Sequence, residues 1–225
     1  MKTKLAMAAA ALTLLASIPA SAATYIFDSV GDSSVINFNG YEDFNITGLS
    51  TQITYTLTGF SGNSATFSYV LDNTSTAPVT AARVTTFGFN IDPNFTSVSN
   101  VTGAVYPTVS SGNVPNALPN VEFCLTSGNN CSGGANGGVF LNDPNATGSF
   151  KLNFGSQPTT VTLSDLYVRY QAVTSPSQGV SGSSAVGIPV IGVPEPTTWA
   201  MMLTGFFGMG SVLRSQRRRR AMTVA

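Results

Sequence analysis

The stretch QITYTLTGFSGNSATFSYVL, residues 52–71, decides the fold. Ile53, Tyr55 and Leu57 alternate with Thr54, Thr56 and Thr58, and after the turn-forming residues 59–64 Ala65, Phe67, Tyr69 and Leu71 alternate with Thr66, Ser68 and Val70. A period of two sends the large apolar side chains to one face of a pleated strand and the hydroxyls to the other, so this stretch predicts a β-hairpin. The same reading places further strands over 24–28, 33–39, 81–90, 95–105, 120–125, 137–141, 148–154 and 160–172, punctuated by Gly, Asn, Asp and Pro. No apolar pattern of helical period extends beyond about two turns. The expectation is an all-β protein, an antiparallel β-sandwich of jelly-roll-like type, occupying residues 23–174. Within 160–172, Val161 and Leu163 share one parity while Leu166, Val168 and Tyr170 share the other, which predicts a bulge or bend at Ser164-Asp165. From Ser175 to Val193 the sequence SPSQGVSGSSAVGIPVIGV loses its alternation and reads as a flexible Ser/Gly/Pro-rich linker.

Charge narrows the function. Only 9% of the 225 residues are charged, against roughly 25% in typical soluble proteins, and ten basic residues balance ten acidic ones. The balance hides a segregation. Residues 23–193 carry nine carboxylates but only Arg83, Lys151 and Arg169 as cations, which excludes nucleic-acid binding by this part of the chain. There is no His, so the usual general base of Ser and Cys hydrolases and the commonest zinc ligand are missing. Thr, Val, Tyr and Phe suit half-buried pleated faces, so such a chain needs few charges to be wetted.

The two ends read as addresses. Residues 1–22 combine Lys2 and Lys4, an apolar run from Leu5 to Ile18 and the small residues Ala20-Ser21-Ala22, the layout of a secretory signal peptide. Cleavage by signal peptidase is expected after Ala22, with Ala23 the close alternative. The run is too short to span roughly 30 Å of hydrocarbon at about 1.5 Å per residue. At the other end, residues 197–213 carry no charge, which meets the lower limit for a transmembrane helix, with Trp199 near its outer boundary. Arg214 and then Arg217, Arg218, Arg219 and Arg220 follow in a basic tail over 214–220, and such flanks stay cytoplasmic, so residues 23–193 are expected across the membrane from them. Pro194-Glu195-Pro196 precedes the apolar run, and its two prolines hold the chain extended, as a protease groove requires.

Val193-Pro194-Glu195-Pro196, Trp199-Ala200-Met201-Met202, the Gly/Phe-rich run and the arginine cluster together resemble the PEP-CTERM sorting signal of Gram-negative bacteria. The resemblance covers 194–225 and implies that Pro194, Glu195 and Pro196 are recognised by an exosortase of the inner membrane, which cuts near them. It also implies passage toward the cell surface or the exopolysaccharide matrix, and no catalytic residue in this chain. A further resemblance, to the cistern subgroup of those proteins, rests on Val30-Gly31-Asp32, Asp72-Asn73-Thr74-Ser75, Arg83 with Phe87-Gly88-Phe89-Asn90, Cys124 to Gly138, and Tyr167-Val168-Arg169-Tyr170-Gln171. It supports the domain assignment without supplying a reaction.

Cys124 and Cys131 stand in FCLTSGNNCSGGANGG. In an exported chain they read as a disulfide, because two sulfurs without His leave a metal short of ligands, and a redox pair would need the C-x-x-C spacing. Closing so short a loop stabilises by roughly 2.5 kcal/mol on the chain-entropy account. The remaining chemistry belongs to carboxylates. Glu42 and Asp43 are neighbours and point to opposite faces of a strand, so a catalytic pair would need a distant partner such as Asp143 for Asp43. Asp92-Pro93-Asn94 and Asp143-Pro144-Asn145 read as turns, with calcium coordination the alternative their oxygens leave open. The expectation is therefore a non-catalytic matrix or surface protein with no cofactor and no metal. Its alternatives are a polysaccharide-binding module whose sugar platform would use Tyr or Phe, and a carboxylate-based glycoside hydrolase.

Overall fold

A computed structural model of the chain describes residues 23–41, 45–115, 118, 120–134 and 136–190. The described residues up to Ile188 form one compact unit, and a second unit begins at Pro189. Twelve strands account for nearly all regular structure: β1 (Tyr25–Phe27), β2 (Ser33–Tyr41), β3 (Asn45–Ser61), β4 (Ser64–Asp72), β5 (Ala81–Asp92), β6 (Phe95–Thr102), β7 (Thr108–Gly112), β8 (Val121–Thr126), β9 (Val139–Phe140), β10 (Ala146–Phe154), β11 (Val161–Ser175) and β12 (Val180–Gly187). The all-β, antiparallel expectation holds. The predicted hairpin is β3–β4, with Ser61 opposite Ser64 around Gly62-Asn63 and Tyr55 opposite Tyr69.

The sheet arrangement departs from the expected sandwich of two separate sheets. The strands form one hydrogen-bonded path, β6-β10-β4-β3-β2-β12-β11-β5-β8-β7, with β1 beside β11 and β9 beside β5, so a single sheet curls into a nearly closed barrel. The link between its two halves is β12, which pairs with β11 along one edge and meets β2 at Val186 opposite Tyr41 on the other. Asn39 extends this join: its N–H donates to the Ile188 carbonyl and its Oδ1 accepts from the Ile188 N–H, both at 3.2 Å.

That join lies in the segment expected to be a linker over 175–193. Instead, β11 runs through Ser175, a 3-10 turn spans Pro176–Gln178, and β12 returns along the sheet, so the fold ends near Ile188 and not Thr174. The reason is backbone pairing: Val180, Ala185 and Val186 are buried between neighbours, and Gly187 is small because Val168 and Tyr170 fill the space a side chain would need. A Cβ on Gly187 would lie 2.6 Å from Val168 Cγ2 and 2.9 Å from the Tyr170 ring. Two smaller corrections concern the region after β5. The strand read over 95–105 stops at Thr102, and Thr108–Gly112 forms a strand that its Ser/Thr/Gly composition concealed. The bend predicted at Ser164-Asp165 is present as a register shift between Ser164 and Tyr167, with Asp165 at φ 48°.

The halves are held together by rings. Phe150 of β10 stacks on Phe67 of β4 at 5.6 Å and reaches across to Phe123 of β8 at 4.7 Å and Phe89 of β5 at 5.9 Å. Tyr55 packs edge-on to Phe89 at 5.6 Å, and Tyr69 to Phe87 at 4.9 Å. Each such pair is worth about 0.5–1.5 kcal/mol beyond the apolar area it buries, and the interlocked set fixes how the curled sheet closes.

The signal peptide over 1–22, the sorting motif Pro194-Glu195-Pro196, the apolar run over 197–213 with Trp199, and the tail of Arg217 to Arg220 all lie outside the described residues. Among the described residues no helix is long and apolar enough to cross a membrane.

Candidate functional site

Cys124 and Cys131 form the expected disulfide. Cys124 lies on the face of β8 turned away from the rings, opposite Gly88 of β5 and Ser110 of β7. Tyr167 of β11 pairs with Gly88 and lays its ring over it: a Cβ on Gly88 would sit 2.7 Å from Tyr167 Cε1 and 2.8 Å from Cys124 Cβ. The Tyr167 hydroxyl donates to the Cys131 carbonyl at 2.9 Å, and burial pushes this phenol well up from its ordinary range. With Val114 and Val121 these residues make a small second core on the outside of the sheet. Both sulfurs are buried, which is the setting of a structural bridge and not of an exchanging redox pair.

The carboxylates are scattered. Glu42 and Asp43 lie outside the described residues. Asp143 caps its own turn by accepting the Phe140 N–H at 3.0 Å, next to the beginning of β5, whereas Asp92 ends the same strand. About nine residues of strand at ~3.3 Å each separate those two sites. Asp32 accepts the N–H groups of Asp28 and Ser29, both at 2.9 Å, and these bonds hold its carboxyl below the usual range. Among the described residues no three His, Cys, Asp or Glu side chains gather as a metal site would require. The buried phenols are equally far from acid–base duty: desolvation raises Tyr55, Tyr106 and Tyr170 well above 10 and Tyr69 to about 12, so all stay neutral near pH 7.

One cavity among the described residues is set by the topology. β6 and β7 end the strand path and no ladder joins them among the described residues, so the barrel has a seam. Where β6 begins and β7 ends, the seam opens as a groove of about 370 Å³ lined by Asn94, Phe95, Ser111, Gly112, Val121 and Glu122. Val121 is its buried floor, and the Phe95 ring, half-buried, packs edge-on to Phe123 at 6.5 Å. Glu122 is held from two sides, its Oε2 accepting the Ile91 N–H and its own N–H donating to Asn90 Oδ1, each at 2.9 Å. Asn90 is steadied in turn by donating to Asp165 Oδ2 at 3.0 Å, through the residue whose positive φ makes the bend in β11. Sequence reading singled out neither Phe95 nor Glu122 as site residues. The only available signal was a lone acid inside an apolar strand, VEFCLT.

Compared with protein-family models, with curated proteins and with solved structures, the chain matches none.

Proposed function

We propose that this is an exported protein which signal peptidase and an exosortase process in turn, and which serves at the cell surface or in the exopolysaccharide matrix as a non-catalytic structural or adhesive component. The observation that carries the reading is the order of the C-terminal elements: Pro194-Glu195-Pro196, the uncharged stretch of 197–213 with Trp199, and Arg217, Arg218, Arg219 and Arg220. The folded part is consistent with that destination. A buried disulfide persists in an oxidising compartment and is rare in the cytosol. A core closed by interlocked rings needs few surface charges, which leaves its outer faces to Ser, Thr and Asn. The test replaces Pro194, Glu195 and Pro196 by alanine and follows the mature mass and the location of the product. The expected result is retention of the tail and arrest in the inner membrane; normal trimming and release would overturn the proposal.

A polysaccharide-binding role is the second reading, and the seam groove favours it, since a half-buried ring beside fixed polar groups is what a sugar site needs. The hydrolase alternative predicts release of reducing ends that one Asp or Glu substitution abolishes, so an assay on isolated matrix polysaccharide separates it from binding alone.

A further inference from the structure

We infer that the groove at the β6/β7 seam binds one uncharged sugar residue of a polysaccharide, with the Phe95 ring against the sugar's C–H face and Glu122 and Asn94 bonding its hydroxyls. The inference deepens the second reading above and rests on it, while standing apart from the sorting of the chain.

Three observations converge on this ligand class. The first is shape. The volume of about 370 Å³ lies at the small end of ligand pockets, roughly 300–1,000 Å³, and Gly112, at φ 106°, leaves open space where a Cβ would stand. The second is preorganisation. The Glu122 Oε2 is held by the Ile91 N–H and the Glu122 backbone N–H by Asn90 Oδ1, with Asp165 behind Asn90, while among the described residues no donor reaches its Oε1. A carboxylate positioned before the ligand arrives loses little entropy on binding and accepts strong bonds from hydroxyl donors. The third is charge. Among the described residues the groove holds a carboxylate and no cation, so uronates, sulfates and phosphates are repelled, and one carboxylate without companions there is too few for a metal ion. A half-buried aromatic ring, a fixed carboxylate, a carboxamide at Asn94 and a hydroxyl at Ser111 match the alternating apolar and hydroxyl faces of a neutral hexose.

The experiment titrates the detergent-solubilised full chain with gluco-, galacto- and manno-hexaoses, and with oligogalacturonate of the same length, by calorimetry and by NMR. Saturable binding of a neutral hexaose is expected, with shifts at Phe95 and Gly112. Phe95→Ala should weaken it at least tenfold and Glu122→Gln at least fivefold, while Thr54→Ala on another strand leaves it unchanged. If Phe95→Ala fails to fold, Glu122→Gln and Ser111→Ala carry the test. Binding that none of these groove substitutions alters would place the sugar elsewhere and overturn the groove while sparing the second reading. Preference for oligogalacturonate would overturn the assignment to neutral sugars, and no binding of any oligomer would overturn both. The sorting proposal survives each outcome, because it is read from mass and location alone.

Discussion

The β3–β4 hairpin and β12 are both strands of one sheet, yet they are strands for different reasons. In the hairpin, every second residue from Ile53 to Leu57 and from Ala65 to Leu71 is buried, and the intervening Thr and Ser face outward. Local alternation there coincides with the final environment. In β12, VSGSSAVG has no such period, and its burial follows from lying between β11 and β2. One strand brings its own hydrophobic face, while the other is chosen for small size and a pairable backbone. The difference has a structural consequence, because β12 is the element that turns two halves into a single curled sheet.

Truncation after Gly179 probes this difference most severely. If β12 is integral, its loss exposes the edges of β2 and β11 and the sites of Val180, Ala185 and Val186, at about 1.5–3 kcal/mol for each large side chain, so a fall of about 5 kcal/mol is expected in urea unfolding. A truncated chain with an unchanged midpoint would return this segment to the status of a spacer. A finer contrast uses two glycines. Gly187→Ala should cost about 1–3 kcal/mol, because Val168, Tyr170 and the Asn39 carbonyl already fill the site. Gly59→Ala in β3 meets only Thr66 at 3.4 Å and should be neutral or stabilising by up to about 1 kcal/mol. Equal effects at both positions would erase the distinction between the regions.

The smallest effect, absent at neutral pH, is alkaline. The phenols of Tyr55 and Tyr69 in the hairpin and Tyr170 in β11 have raised pKa values because they are buried, so the unfolded chain releases their protons first. Their contribution is therefore complete below about pH 10 and declines as pH rises toward the folded value, about 12 for Tyr69. Thermal melts between pH 9 and 11.5 should show this decline, and Tyr55→Phe with Tyr69→Phe should lessen it, with Tyr106, Tyr167 and Tyr170 carrying the remainder. An undiminished decline in that double variant would mean that other groups titrate.

Most strands were legible because Tyr, Phe, Leu and Ile recur at period two, and the bend in β11 was legible because parity changes at Ser164-Asp165. β7 and β12 were not, since Ser, Thr and Gly carry no hydrophobic signal and take strand structure from their partners. The disulfide was legible from compartment logic, but the Tyr167 ring over Gly88 that covers it was not, because register alone brings positions 88 and 167 together. The groove was hidden for the same reason. Phe95, Ser111 and Glu122 belong to three strands, and their meeting depends on where the sheet fails to close.

Period-two chemistry by itself determined that this chain forms antiparallel strands, and the order of charged and apolar segments at its ends determined the expectation of export. Tertiary structure alone decided that the strands make one sheet and not two, that the fold extends to Ile188, and that a seam stays open between β6 and β7. The physical reason is that alternation reports which way a side chain points, a property of each strand separately. Sheet continuity and closure depend on which backbones find one another across the sequence, and no local pattern encodes that choice.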